Sequence, residues 1–194
     1  MLAFAVAVFL LLITPGPGVL STAGVGAAFG RRVGLRYLAG LFVGTNLVAL
    51  AVISGLAAAV FALPGLRVVL TLASIAYLAW LAARIALAGS RIAFMDARTP
   101  PRLRDGLALQ FVNPKAYVVN TTLFGGFPFV DTGPVVEILV KLLIVNAIWV
   151  PVHLVWLVFG IQVRRLDLPP RWQRTINVAM AAAMIGVVVL AASS

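Results

Sequence analysis

Two short proline motifs interrupt long apolar stretches, and they hold the residues best suited to binding chemistry. The first is Thr14-Pro15-Gly16-Pro17, which lies between the apolar runs 2–13 and 19–29. Each run is shorter than the ~20 helical residues that a bilayer crossing requires, whereas the two together are long enough. Proline removes a backbone donor and clashes with the preceding turn, and glycine leaves helical geometry at low cost. The motif therefore predicts a helix that is broken near the middle of a membrane span.

The second motif, Asn113-Pro114-Lys115, begins close to half a chain length after Thr14 and again places a proline beside polar groups. A broken membrane helix exposes backbone carbonyls and N–H groups, which must face protein or a water-filled cavity. Interrupted segments at matching positions in two halves of a chain are typical of the binding sites of secondary transporters. The alternative interpretation is a proline kink that only improves packing.

Lys115 is the charged residue that lies nearest the middle of a span beside a break. A cation at that depth costs about 2.5–3.5 kcal/mol on insertion scales and therefore suggests a function. The helix after Pro17 begins with free N–H groups and the positive end of its dipole, which attract a carboxylate. We expect Lys115 and the first break to bind a substrate carboxylate, with Thr14 and Asn113 near its ammonium group or bound water. Lys115 could instead act in proton coupling or bind the carbonyls that the first break frees.

Other polar side chains inside the predicted spans have two interpretations each. Asn46 and Asn146 lie at matching positions of the two halves, and their amides suit either substrate contacts or hydrogen bonds between helices. His153 could carry a proton, or could bond to the carbonyl that Pro151 frees. Glu137 precedes a lysine by four residues, which is the spacing of a helical ion pair, and proton relay is the alternative.

Composition limits the chemistry further. The chain is 63% hydrophobic and 10% charged, unlike a soluble globular domain. It has no cysteine and one histidine, which excludes thiol relays and multi-histidine metal sites, so we expect no metal and no cofactor. Its acids form no close pair within a span, which disfavours the alternative function, a membrane-embedded lipid-modifying enzyme. The candidate substrate-binding residues are Thr14, Pro15, Gly16, Pro17, Asn46, Asn113, Pro114, Lys115 and Asn146, and the proton-coupling candidates are Lys115, His153 and Glu137.

Six transmembrane helices in an all-α membrane protein would position these residues. The loops after the first, third and fifth spans hold three, four and four of the 15 Lys and Arg residues, whereas those after the second and fourth hold only Arg67. The positive-inside rule places the arginine-rich loops in the cytoplasm and both termini outside, and it accounts for the net charge of +10 without nucleic acid. The predicted spans are 2–28, 38–62, 68–89, 106–128, 135–160 and 175–192.

The spans divide into two inverted three-helix repeats within a single domain, about 1–97 and about 98–194. Three spans per half is an odd number, so the second half enters the membrane from the opposite side. At ~1.5 Å per residue both breaks fall near the midplane. The expected connections include a basic turn over 30–36, a turn at 64–65 and a polar loop over about 90–105. We also expect Gly40 and Gly44 to form a close contact between helices.

These motifs resemble those of the LysE/RhtB family of amino-acid exporters. The similar segments are Thr14–Pro17, Gly30–Gly34, Gly40–Gly44, Tyr77–Leu81, Gly106 with Phe111–Ala116, and Arg174–Asn177. The resemblance implies a multi-pass exporter of amino acids or related small solutes in the bacterial plasma membrane, driven by the proton gradient, and a homodimer. Two departures stand out: Gly18 lies where family members often have Asp or Asn, and Phe127-Pro128-Phe129 replaces an element closer to Leu-Pro-Gln-Phe.

Overall fold

The computed structural model of the chain describes residues 1–55, 72, 100–127 and 133–166, with scattered positions between 169 and 182. Within these residues the chain is helical, with no strand. The helices are α1 (Leu2–Ile13), α2 (Pro17–Ile53), α3 (Leu103–Phe111), α4 (Pro114–Gly125) and α5 (Pro134–Arg165). The described residues leave out span three except residue 72, most of span six, the turn at 64–65 and most of the loop over 90–105.

The first predicted span is interrupted at the first proline motif. α1 ends at Ile13 and α2 begins at Pro17, and Gly16 between them is extended, with φ −163 and ψ 176. Proline at the first helical position loses no hydrogen bond, because that N–H has no partner inside a helix. α1 and the first arm of α2, residues 17–29, are each only about 18–20 Å long, so neither would cross a bilayer alone.

α2 reverses direction at Gly30, whose φ of 77 and ψ of −171 suit glycine alone. Side chains built at Gly26 and Gly34 would both overlap the same methyl carbon of Leu157, whereas a continuous helix would hold these positions about 12 Å apart. The predicted turn is therefore present at Gly30, and its predicted extension over 31–36 is wrong. The chain turns within one residue, and its arginines lie exposed at the start of the second arm, residues 31–53.

Two other helix boundaries differ from the predicted ones. α2 ends at Ile53 rather than near 62, because Gly55 adopts a φ of 75 after the last helical turn. α3 begins at Leu103 rather than at 106. The Asp105 carboxylate accepts a hydrogen bond of 2.7 Å from the Arg102 N–H, which caps the first turn of α3 and draws part of the predicted loop into the helix.

The fourth predicted span is interrupted at the second proline motif. α3 ends at Phe111 and α4 begins at Pro114, with Asn113 in an extended conformation between them. Both predicted breaks are therefore present. α5 follows as one long helix, with Pro151 in its interior.

α5 packs against both halves of the described chain. One core cluster joins α5 to α2 and α3; its members are Val25, Tyr37, Leu38, Leu41, Leu109, Trp149 and Leu157. A second cluster joins α5 to α1 and α4; its members are Phe4, Val8, Val119, Leu123 and Val145. Away from these clusters, Leu139 and Leu143 remain 61% and 71% exposed. By length and composition, α5 and α2 are each apolar enough to cross a membrane.

Glycines allow the backbone of α3 to contact the backbone of the second arm of α2. A side chain at Gly40 would overlap the carbonyl of Leu103, and one at Gly106 would overlap the facing backbone of α2. A Cβ at Gly44 would lie 2.8 Å from the Cβ of Gln110, closer than such atoms pack. The predicted close contact at Gly40 and Gly44 is present, and it holds Gln110 beside α2.

Candidate binding site

A cavity of about 50 Å³ lies where the two breaks meet, with walls from all five helices. About 10–15 Å³ of such space holds one water, so the cavity has room for several waters or the polar part of a small solute. Its polar lining residues are Thr45, Gln110, Asn113, Lys115, Asn120 and His153.

Lys115 joins the two breaks. Its Nζ donates to the backbone carbonyl of Thr14, and its side chain passes over Gly16, where a Cβ would lie 2.7 Å from Lys115 Cδ. The ion pairs of the described residues are Glu137–Lys141 and Arg104–Asp105, so no described carboxylate pairs with Lys115. An ammonium group has three donors, and Lys115 therefore keeps donors for a ligand.

The first turn of α2 borders the cavity and has N–H groups without partners inside the helix. Gly16 has no side chain to cap them, and its carbonyl accepts the first helical hydrogen bond. Gly18 and Val19, whose N–H groups come before that bond, both line the cavity. The hydroxyls of Ser21 and Thr22 donate to the Gly18 carbonyl at 2.9 and 2.8 Å and hold this turn in place. Together with the positive end of the helix dipole, these groups favour an anion.

The first turn of α4 is closed by its own cap, in contrast to that of α2. The Asn113 side-chain Oδ1 accepts a hydrogen bond from the Lys115 N–H at 3.2 Å, and the Asn113 carbonyl accepts one from the Ala116 N–H at 3.0 Å. Protein groups thus satisfy the start of α4, whereas the start of α2 is open to a ligand.

Asn113 also fixes the orientation of Gln110. Because Asn113 Oδ1 already accepts from the backbone, Nδ2 must be the atom that donates to Gln110, and it lies 3.0 Å from Gln110 Oε1. Gln110 therefore turns its Nε2 away from Asn113. The Gln110 side chain is 3% exposed and lines the cavity, and no residue in the described part of the chain accepts a hydrogen bond from Nε2.

His153 is oriented by Trp149, one turn before it on α5. His153 Nδ1 lies 2.9 Å from the Trp149 carbonyl, which can only accept, so Nδ1 carries the hydrogen and Nε2 of the neutral ring is an acceptor. The two rings stack with centroids 3.7 Å apart. A Cβ at Gly18 would lie 3.5 Å from His153 Nε2 and 3.7 Å from Gln110 Nε2. Gly18 therefore has an acceptor and a donor beside it.

Comparison with known proteins identifies the family of this chain. Residues 9–194 match the sequence model of one protein family, described as LysE type translocator. The chain belongs to the LysE type translocator family. It is therefore a membrane protein of a transporter family, as its motifs and apolar helices predict. Searches of curated proteins and of solved structures each returned no match.

The translocator brings together some of the sequence-predicted site residues and places others beside them. Gly16, Asn113, Lys115 and His153 line the cavity. Pro15, Pro17 and Pro114 shape the breaks without lining it. The Thr14 hydroxyl donates to the Leu10 carbonyl at 2.6 Å, within its own helix, and only the Thr14 backbone reaches the site.

Asn46 and Asn146 bond to each other and do not line the cavity. Each amide Nδ2 donates to the partner's Oδ1, at 3.0 and 2.9 Å, and also to a carbonyl one turn back on its own helix, at 2.9 Å. With these donors and acceptors in use, the geometry favours the helix-packing interpretation of this pair over substrate contact.

Glu137 forms the helical ion pair that its spacing predicts, whereas the bond of His153 differs from the predicted one. Glu137 forms an ion pair of 2.7 Å with Lys141, whose Nζ also donates to the Gly126 carbonyl at 2.9 Å, beyond the end of α4 and away from the cavity. The expected bond of His153 to the carbonyl freed by Pro151 is wrong. That carbonyl belongs to residue 147, four positions before the proline, and His153 contacts residue 149 instead.

Gln110, Thr45 and Asn120 line the cavity but were not among the predicted substrate-binding residues. Gln110 lies three residues before Asn113, beside the predicted break, and this proximity was the available signal. Asn120 follows Asn113 by seven residues, which is a helical spacing. Thr45 carries no comparable signal, because hydroxyls in membrane helices usually bond to their own backbone.

No group of three His, Cys, Asp or Glu side chains comes together among the residues that the structure describes. Membership in a translocator family favours transport over the alternative of a lipid-modifying enzyme.

Proposed function

We propose that this translocator exports amino acids or related small zwitterionic solutes from the cytoplasm, coupled to protons. The observation that carries the proposal is the juxtaposition of Lys115 with the open start of α2. The solute carboxylate would accept hydrogen bonds from the N–H groups of Gly18 and Val19 and from Lys115 Nζ. A charge-assisted bond of this kind is stronger than a neutral one, and a water-poor membrane site strengthens it further.

Asn120 is the proposed partner of the solute ammonium group. Its Nδ2 donates to the Ala116 carbonyl at 2.7 Å, which leaves Oδ1 to accept from a ligand. Thr45 supplies a hydroxyl in the same cavity. Thr14 and Asn113 suit this role less well than the sequence suggested, because their side-chain polar atoms already bond within the protein.

Transport is proposed to occur by movement of two inverted repeats about the cavity. Three pairs of lining residues are separated by 100 positions, namely Gly16 with Ala116, Val19 with Val119 and Thr45 with Val145. These pairs, the repeated order of a broken helix followed by a long one, and the Asn46–Asn146 contact support a pseudo-two-fold axis through the site. Rocking of one repeat against the other would open the cavity to each side in turn.

Proton coupling is proposed to involve His153 and Lys115, which line the same cavity as the solute. His153 Nε2 is the acceptor that faces Gly18 and could take up the proton. Glu137 is the weaker candidate, because it pairs with Lys141 outside the cavity. The location in a bacterial inner membrane and the homodimer are carried over from the family resemblance.

Replacement of Lys115 by methionine tests this function. Inverted membrane vesicles would be given a mixture of labelled amino acids under an imposed pH gradient. We expect the wild type to accumulate label. Lys115→Met should reduce uptake by about tenfold or more, which corresponds to the loss of a charged hydrogen bond worth about 1.5–3 kcal/mol. Membrane insertion should persist, because methionine is cheaper to bury than lysine.

Thr14→Val is the matched control at the same break. It removes a hydroxyl that bonds to Leu10 within α1, and it keeps the Thr14 carbonyl that Lys115 contacts. We expect uptake within about twofold of the wild type. Normal uptake by Lys115→Met together with a lower melting temperature in detergent would contradict the proposal and assign Lys115 a structural role.

A further inference from the structure

We propose that Gln110 and His153 form a specificity subsite at Gly18 that binds a carboxamide side chain of the transported solute. The proposal rests on the proposed function and names the class of solute within it. Its basis is the pair of nitrogens beside Gly18, one that donates and one that accepts.

The hydrogen-bond character of both nitrogens follows from fixed backbone groups. The Lys115 N–H orients Asn113, Asn113 orients Gln110, and Gln110 is left with an N–H donor that has no described partner. The Trp149 carbonyl orients His153, and Nε2 is an acceptor while the ring is neutral, that is, before it takes up the proton of the proposed coupling. A carboxamide offers an oxygen that accepts and an N–H that donates on two separate atoms. It therefore satisfies Gln110 and His153 together.

Gly18 supplies the space for this group. A Cβ there would lie at ordinary contact distances of 3.5 and 3.7 Å from the two nitrogens, and no other side chain of the described residues comes closer, so both nitrogens face the cavity side of Gly18 without being covered. Gly16, next to Lys115, is two residues away along the chain, at most about 7 Å. One small amino acid could thus place its carboxylate at Lys115 and its carboxamide at Gly18.

The missing hydrogen-bond partner of Gln110 Nε2 among the described residues also explains why the subsite would discriminate. Gln110 and His153 are each 3% exposed. An apolar side chain of the same shape would remove water from both nitrogens and return no hydrogen bond, which is costly. Asparagine and leucine are close in shape, so they differ mainly in whether they form hydrogen bonds with Gln110 and His153.

The experiment compares uptake of labelled L-asparagine and L-leucine by proteoliposomes that contain the purified protein, under a pH gradient. We expect the wild type to favour asparagine by about fivefold to tenfold, which is the effect of a hydrogen bond worth about 1–1.4 kcal/mol. Gln110→Met should bring the ratio of asparagine uptake to leucine uptake close to one. Gln162→Met makes the same change on α5 at an exposed position outside the cavity, and it should keep the preference.

Gly18→Ala provides a second test that keeps the bond between Gln110 and Asn113. The added methyl group meets both nitrogens only at ordinary contact distances and narrows the subsite, so the ratio of asparagine uptake to leucine uptake should fall. Gly125→Ala, where a Cβ would meet nothing within 4 Å, is its control.

Equal uptake of asparagine and leucine by the wild type would overturn the subsite and leave amino-acid transport standing. The same holds if Gln110→Met and Gly18→Ala both keep the preference, or if Gly18→Ala reduces both solutes equally. Uptake of no amino acid at all would overturn the proposed function and the subsite with it.

Discussion

Single residues in this protein act through the backbone groups that orient them. Lys115, Asn113 and Gln110 form one chain of hydrogen bonds across the second break, and it ends on a side-chain donor that faces the cavity. Substitution of any one of the three would therefore alter the hydrogen bonds that orient the other two. Asn46 and Asn146, in contrast, form a closed pair that offers little to a ligand.

Leucine substitutions at this pair separate packing from transport. Asn46→Leu should lower the melting temperature in detergent, because it leaves the Asn146 oxygen without its partner, at a cost of about 1–3 kcal/mol. The double variant Asn46→Leu with Asn146→Leu should recover much of that loss, since both amides are gone. Solute uptake per folded molecule should stay near the wild-type value in both variants. A stable Asn46→Leu protein without uptake would instead place this amide at the solute.

At the scale of elements, the broken helices determine where the site forms. α1 and the first arm of α2 meet α3 and α4 at their breaks, and α5 packs behind the cavity. The glycines between the second arm of α2 and α3 bring Gln110 close enough to share the space at Gly18. The packing of α3 against the second arm of α2 thus determines how close Gln110 lies to Gly18.

Gly40→Ala tests this contact. The new Cβ would overlap the carbonyl of Leu103, so we expect a destabilisation of about 1–3 kcal/mol, measured as a lower melting temperature and folded yield in detergent. Gly125→Ala is the appropriate control, because nothing lies near its Cβ. Gly133 would be a poor control although it precedes α5, since its φ of 108 strains any other residue. Equal stability of the two alanine variants would exclude close packing at Gly40.

The predictable part of the site follows from proline and glycine, whose backbone effects are local. The breaks at Gly16 and Asn113 and the contact at Gly40 could be located from sequence for that reason. The turn at Gly30 is predicted too long because a run of arginines suggests a loop, whereas their long side chains are compatible with the start of a helix. The role of Gln110 depends on how two distant segments pack, which local sequence does not specify.

At the scale of the whole molecule, the arrangement of charges predicts how the protein sits in the membrane. The arginines that follow Gly30 lie exposed at one end of the second arm of α2, and Ser54 lies exposed just past its other end. This arm has 23 residues between 31 and 53, about 34 Å, which is enough to cross a bilayer.

Introduced cysteines can test the orientation, because the natural chain has none. We expect Arg32→Cys to be protected from a membrane-impermeant thiol reagent in intact cells and to react after the cells are opened. Ser54→Cys should react in intact cells. The reverse pattern would place the arginine-rich side outside and overturn the prediction that both termini face away from the cytoplasm.

The Asn46–Asn146 contact has the form of an interface between two copies of one subunit. Each amide donates one hydrogen bond to the other and accepts one from it. Each amide also donates to a carbonyl one turn back on its own helix. Such self-complementary contacts are the mark of two-fold symmetric dimers, in which one surface patch suffices for both sides. If the two halves are repeats of one ancestral unit, a single asparagine in that unit would have formed both sides of this hydrogen-bonded pair when two copies associated.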